Sequence, residues 1–235
     1  MRFLVLFVAV LAATSAQAAS FDCAKSASVE ERAVCADPQL SDLDSKLGKA
    51  FSQAKKDSAS DKHEMERLMA VARAFLAQRH ACGAARACLI ASYAGALEGY
   101  STVGSEVAMP SWIDAPTIAD SKAPPSSALP TTLGQCVSTT VKDVMPRLGD
   151  GGPIKPEDFA SGTAINFANG GYQVSYDRET ALLDSRRGDS VVMCLIALPR
   201  ACPPGDDRGR SYMVTNLRTK RTWTLPDSEH LCGGA

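Results

Sequence analysis

Eight cysteines, four in each half of the chain, constrain this sequence more than any other feature. In order they are Cys23, Cys35, Cys82, Cys88, Cys136, Cys194, Cys202 and Cys232. An even number of cysteines predicts disulfides when a chain folds outside the reducing cytosol. We therefore expect all eight to be oxidised, with each half of the chain closing its own bonds.

Residues 1–18 have the pattern of a secretory signal peptide. Arg2 supplies the positive charge, residues 3–11 are apolar, and Ala16-Gln17-Ala18 is a small-x-small cleavage site. The apolar stretch is too short to span a bilayer, and no later run is long enough either. We expect a mature chain that begins at Ala19, a periplasmic or secreted bacterial protein, and no transmembrane segment.

Composition is that of a folded globular protein, with 45% apolar and 22% charged residues. The formal net charge is −1, and loss of Arg2 makes the mature chain one charge more negative. This near balance gives no electrostatic basis for binding nucleic acid or an anionic membrane. The length indicates two small domains.

A shift in composition marks the expected domain boundary. Residues 101–132 contain five prolines with Ser and Ala between them, which predicts a semi-extended linker. Residues 19–100 form the first domain and residues 133–235 the second. The predicted fold class is α+β, with a disulfide-linked helical hairpin or bundle followed by a small antiparallel β-barrel or sandwich.

The first domain has helical periodicity. Asp37 followed by Pro38 predicts the N-terminus of a long amphipathic helix. A second helix is predicted over residues 61–80, a short one capped by Ser28, and another over residues 88–100. In an antiparallel hairpin Asp44 and Arg79 would pair across the helix–helix seam, and an exposed pair would contribute at most about 1 kcal/mol.

The second domain has β periodicity. Asn169-Gly170 between two alternating runs predicts a hairpin with a type I′ turn. Residues 190–198 are apolar on both faces, as expected of a central strand. Tyr212 and Val214 should face Trp223 and Leu225 across a further turn near residues 218–220.

A family resemblance appears in the first domain. The residues that carry it are Phe21-Asp22-Cys23-Ala24-Lys25, Glu31, Cys35, Asp37-Pro38, Leu40, Leu43-Asp44, Phe51, Phe75-Leu76, Arg79, Cys82, Cys88-Leu89 and Tyr93. This pattern resembles the LprI N-terminal domain family of secreted bacterial proteins over residues 21–100. The resemblance implies a periplasmic or lipid-anchored helical module, in a family named for a lysozyme-inhibiting member. The second half resembles only uncharacterised secreted domains.

Four positions differ from the residues usual in that family. Ala72 stands where Gln is usual, Phe75 replaces Trp, His80 replaces Asp, and Ala96 replaces Arg. The apolar stripes of the helices are unaffected by these differences. The helical scaffold is therefore still expected, whereas a function that depends on those polar groups is not implied.

Catalytic and metal-binding patterns are weak. The histidines His63, His80 and His230 have no metal-ligand spacing. Ser228 and His230 beside Asp227 contain the residue types of a catalytic triad, but such close neighbours on a loop rarely converge. Asp206-Asp207 is explained by a tight turn. We expect no enzyme activity, no cofactor and no metal.

The loops around the last hairpin are basic, and they are the candidate binding site. We take the contact residues to be Arg208, Arg210, Arg218 and Lys220. Lysozymes hold paired carboxylates in an open cleft, so an inhibitor must present cations on a rigid loop. A protein partner, with lysozyme as the candidate, is one hypothesis. The alternative is a cell-envelope structural or stress module that binds peptidoglycan or a periplasmic protein.

Disulfide pairing follows from the expected hairpins. In the first half we favour Cys35–Cys82 with Cys23–Cys88, although four cysteines allow three connectivities. In the second half we favour Cys136–Cys194 and Cys202–Cys232.

Overall fold

The computed structural model describes residues 19–149, 152–200 and 202–234. The predicted signal peptide lies outside these ranges. Within them, no helix combines the length and the apolar character that crossing a bilayer requires. The architecture is mixed, with helices in the N-terminal part and an antiparallel sheet in the C-terminal part.

The described residues form six α-helices and six strands. The helices are α1 (Val29–Ala36), α2 (Pro38–Asp57), α3 (Lys62–Cys82), α4 (Arg86–Ser101), α5 (Ala115–Ala119) and α6 (Thr180–Leu183). The strands are β1 (Cys136–Pro146), β2 (Thr163–Phe167), β3 (Tyr172–Ser175), β4 (Ser190–Ala197), β5 (Ser211–Asn216) and β6 (Thr222–Pro226).

The predicted helix starts are confirmed by their caps. The Asp37 side chain accepts from the backbone N–H of Gln39 and Leu40 at the start of α2. Asp61 caps α3 in the same way, and Ser28 forms a capping box with Glu31 at α1. These side chains satisfy N–H groups that have no partner inside the helix.

The strands form one six-stranded sheet in the order β3-β2-β1-β4-β5-β6, curled into a half-barrel. The expected interior strand is confirmed, because β4 pairs with β1 on one side and β5 on the other. Its residues Val191, Met193 and Leu195 lie in the core inside the half-barrel. The alternate residues Val192 and Ile196 lie on the outer face, in the core that contains the helices.

The β2–β3 connection is a hairpin, but the predicted type I′ turn is wrong. Gly170 has φ 82°, whereas Asn169 keeps a negative φ. Gly170 N donates to Phe167 O (3.1 Å), and the Asn169 side chain accepts from Gly171 N (3.2 Å). The asparagine side chain thus stabilises a three-residue loop in which only the glycine needs the left-handed region.

Helices and sheet share a core, so two separate domains are not confirmed. In the segment expected to be a linker, α5 buries Ala115 and Ile118 completely in the core that contains α4 and the outer face of β4. At Gly95 of α4, a Cβ atom would lie 2.2 Å from Ile196 O, so only glycine permits this close helix–strand approach. The five-residue α5 is too short to show a helical period in the sequence.

The described chain has four disulfides, and the pairing expected in the N-terminal half is wrong. The bonds there are Cys23–Cys35 and Cys82–Cys88, with Cα atoms 5.7 and 5.4 Å apart. Each closes a short local loop between neighbouring elements, instead of joining the two ends of the α2–α3 pair.

The two disulfides predicted for the C-terminal half are confirmed. Cys136 and Cys194 are directly opposite each other on β1 and β4, and Cys202 bonds to Cys232. No described cysteine is free.

The shared core makes a specific substitution informative. Ile118→Ala should lower the free energy of unfolding by about 2–5 kcal/mol, because it leaves a cavity between α5 and the sheet. Urea unfolding should show the same single transition whether it is monitored by helical circular dichroism or by the fluorescence of the aromatic side chains. Ile154→Ala is the matched control, since Ile154 is 56% exposed and its loss should change stability by less than about 0.5 kcal/mol. Separate transitions for helices and sheet would contradict a shared core.

Candidate functional site

The four predicted contact residues lie at opposite ends of β5. Arg208 and Arg210 precede the strand, whereas Arg218 and Lys220 lie in the turn to β6. Six strand residues separate the two pairs by about 20 Å at roughly 3.3 Å per residue. The structure therefore does not bring the four cations into one patch.

Arg208 and Arg210 stabilise the loop next to the Cys202–Cys232 disulfide. Arg208 makes two bonds to the Asp206 carboxylate (2.9 and 2.7 Å), and Arg210 bonds to Asp207 (2.5 Å). Asp206 also accepts from Gly233 N (3.0 Å), next to the Cys202–Cys232 disulfide. The pKa of Asp206 is lowered, chiefly by the Arg208 guanidinium. These cations are already paired inside the chain.

Arg218 holds the turn between β5 and β6 against the start of β4. Its guanidinium makes two bonds to Asp189 (2.6 and 2.7 Å). Asn216 also donates to Asp189 (2.8 Å) and to the Ser185 hydroxyl (3.0 Å). The Asp189 side chain is only 8% exposed. The Arg218 guanidinium and the Asn216 amide hold the pKa of Asp189 well below its usual range.

The turn residues 217–220, which we call the hairpin tip, have a fixed backbone. Asn216 Oδ1 accepts from Arg218 N (2.9 Å) and Thr219 N (3.2 Å). Lys220 N donates to Asn216 O (2.9 Å), and Lys220 takes the left-handed φ of 58°. Among the four predicted cations, Lys220 alone has no carboxylate within 4.0 Å in the described part of the chain.

Beside the hairpin tip is a cleft of about 600 Å³, which we call the tip cleft. Its hairpin wall includes Lys220, Arg221 and Thr224, and Glu98 of α4 and Glu179 before α6 also line it. Burial and the neighbouring Glu179 raise the pKa of Glu98. This cleft therefore combines cations and carboxylates between the helices and the last hairpin.

Asp44 and Arg79 pair as expected, but the pair is buried instead of exposed. Arg79 Nη1 lies 3.4 Å from Asp44 Oδ1, and Asp44 is 3% exposed. Asp44 also accepts from the Tyr93 hydroxyl (2.8 Å) and from Ser20 N (2.7 Å). Burial and the Asp44 carboxylate raise the pKa of Tyr93. The carboxylate joins the N-terminal segment, α2, α3 and α4, which is a structural role.

The triad reading of the C-terminal loop has no geometric support. The Ser228 hydroxyl donates to the backbone carbonyl of His230 (3.0 Å) and lies 3.3 Å from the Asp227 carboxylate. His80 lies 3.0 Å from Glu30 on the helical side. In the described ranges no three His, Cys, Asp or Glu side chains form a group that could hold a metal ion.

Sequence reasoning missed the residues that organise this region. Asp189 and Asn216 are 27 positions apart, and Glu98 and Glu179 come from opposite halves of the chain. The Gly188-Asp189 step signals a turn, but only the pairing of β4 with β5 places Asp189 beside Arg218. Comparisons with protein-family models, with curated proteins and with solved structures found no match.

The Asp189–Arg218 bond predicts an acid-dependent stability. A carboxylate with a lowered folded-state pKa stabilises the fold above its unfolded pKa of about 3.9, and this contribution is lost as the pH falls. Asp189→Asn should therefore lower the Tm at pH 7. The Tm difference between this variant and the native chain should become smaller towards pH 3. The control is Asp120→Asn, because Asp120 is exposed and asparagine tolerates its φ of 45°. A Tm difference that does not change with pH would contradict this role.

Proposed function

We propose that this chain is a non-catalytic binding protein of the periplasm or the extracellular space, which presents the hairpin tip to an acidic cleft of a partner, as a lysozyme inhibitor does. The observation that carries the proposal is a rigid, exposed turn whose cation Lys220 has no carboxylate within 4.0 Å in the described ranges. The carboxylates of a lysozyme cleft are complementary to such a cation.

Preorganisation is the main physical argument. Binding costs free energy when a loop must be ordered, and the tip is already held by Asn216 and by the Arg218–Asp189 bonds. The Lys220 ammonium has no carboxylate of the described chain to give up when it meets a partner. Leu217, 36% exposed in the same turn, adds apolar surface beside the charge.

The four predicted contact residues take different roles in this proposal. Lys220 is the contact residue, and Arg218 is a positioning residue that fixes the turn. Arg208 and Arg210 stabilise the disulfide loop at the other end of β5. The proposed contact therefore contains fewer free positive charges than the sequence predicted, because three of the four cations are paired with carboxylates inside the chain.

Three further observations support the compartment and the first partner to test. Four disulfides in the described chain are typical of a protein that folds in an oxidising compartment. The predicted signal peptide agrees with folding in an oxidising compartment. The resemblance of residues 21–100 to the LprI N-terminal domain family makes lysozyme the first candidate partner.

The test is a titration of the mature chain against lysozyme-driven lysis of a cell-wall suspension. Lys220→Ala should weaken inhibition at least tenfold and reduce its dependence on salt, because it removes the charge at the contact. Lys142→Ala is the matched control, since Lys142 is an exposed lysine on β1.

Two results would contradict the proposal. One is no inhibition by the native chain at micromolar concentration, and the other is full inhibition by Lys220→Ala. Co-sedimentation of the native chain with insoluble peptidoglycan, in the absence of inhibition, would instead favour the cell-envelope module.

A further inference from the structure

The tip cleft carries opposite charges towards its two ends. Lys220 and Arg221 lie where the hairpin turn enters β6. Arg221 is paired with Asp184 (3.3 Å), whereas Lys220 has no carboxylate within 4.0 Å in the described ranges. Glu98 also lines a neighbouring cavity together with Leu225 and Pro226, which places it further along the same strand. Glu179 is close enough to Glu98 to raise the pKa of its carboxyl. The cleft is therefore bipolar, with the unpaired Lys220 at one end of β6 and the carboxylates of Glu98 and Glu179 towards the other.

The two carboxylates have no counter-ion among the described residues. In the described ranges neither Glu98 nor Glu179 has a Lys, Arg or His nitrogen within 4.0 Å. The Ser175 hydroxyl donates to Glu179 (2.9 Å), which fixes that side chain. Burial of the Glu98 carboxylate without a cation raises the free energy of the folded state. A ligand that brings an ammonium group would lower that free energy.

The strand between the two charged ends has free backbone groups. β6 is at the edge of the sheet, and Asn216 N donates to Arg221 O (2.9 Å) at the start of its ladder with β5. Residues alternate along an antiparallel ladder, so Thr222 and Thr224 direct their N–H and C=O groups away from β5. No described backbone group bonds to them. They can therefore pair with an extended backbone in the cleft.

We propose that the tip cleft binds a short free peptide, with its terminal ammonium at Glu98 and Glu179 and its terminal carboxylate at Lys220. The peptide backbone lies along Thr222 and Thr224. This activity goes beyond the proposed inhibition and does not depend on it.

The dimensions set the length of the peptide. From Lys220 to Thr224 the strand rises about 13 Å, at roughly 3.3 Å per residue. An extended peptide of about four residues covers the same distance. The cleft volume of about 600 Å³ falls within the usual range of ligand pockets. A bipolar site also discriminates against internal segments of a protein, because these lack both terminal charges.

The experiment is calorimetric titration of the mature chain with tetra-alanine and with its N-acetylated and C-amidated forms. Free tetra-alanine should bind, and each cap should weaken binding at least tenfold. The double variant Glu98→Gln with Glu179→Gln should weaken binding of the free peptide and no longer distinguish it from the N-acetylated form. Glu157→Gln is the matched control, because Glu157 is exposed and far along the chain from β6.

Amide hydrogen exchange locates the peptide independently. The N–H groups of Thr222 and Thr224 should exchange faster than those of Trp223 and Leu225 in the free chain, and should become protected when tetra-alanine is added. No binding at millimolar peptide, equal binding of all three forms, or native affinity in the double variant would overturn the proposal. Lysozyme is absent from these measurements, so their failure leaves the inhibition test unaffected.

Discussion

The burial of β4 on both faces is the constraint on which the rest of the structure depends. A strand with Val191, Met193 and Leu195 on one side and Val192 and Ile196 on the other requires an apolar layer on each face. The curled sheet and α6 provide the inner layer, and α4 and α5 provide the outer one. Because the outer layer is helical, the helices and the sheet must fold against each other, which explains why α5 is buried.

The same strand determines where the polar chemistry lies. Asp189 immediately precedes β4, and Val191 is paired with Asn216 at the end of β5. This register places Asp189 beside the turn between β5 and β6, where its carboxylate accepts hydrogen bonds from Arg218 and from the Asn216 side chain. The rigid turn is thus a product of strand pairing in the core. The binding role proposed for this turn and the stability of the fold depend on the same carboxylate, so substitutions at Asp189 should affect both.

Local sequence signals predicted the helices and strands, whereas contacts between residues distant in the sequence could not be predicted. Asp37, Asp61 and Ser28 mark helix starts because capping needs only neighbouring residues. The two-faced apolar run identified β4 for the same reason. The N-terminal cysteine pairing and the roles of the arginines depend on distances between elements, which spacing alone does not supply. The prolines near α5 led to the prediction of a linker, although Pro restricts φ without indicating whether a segment is exposed. The short buried helix was therefore missed.

The disulfide between Cys136 and Cys194 has a kinetic consequence. Its cysteines are 5% and 0% exposed and lie in the core shared by the sheet and the helices. A thiol reagent can attack these sulfurs only after the helical layer has moved away from the sheet, whereas Cys202 and Cys232 are partly exposed. The rate at which the inner bond is reduced is therefore a measure of how often the two layers separate in the native protein.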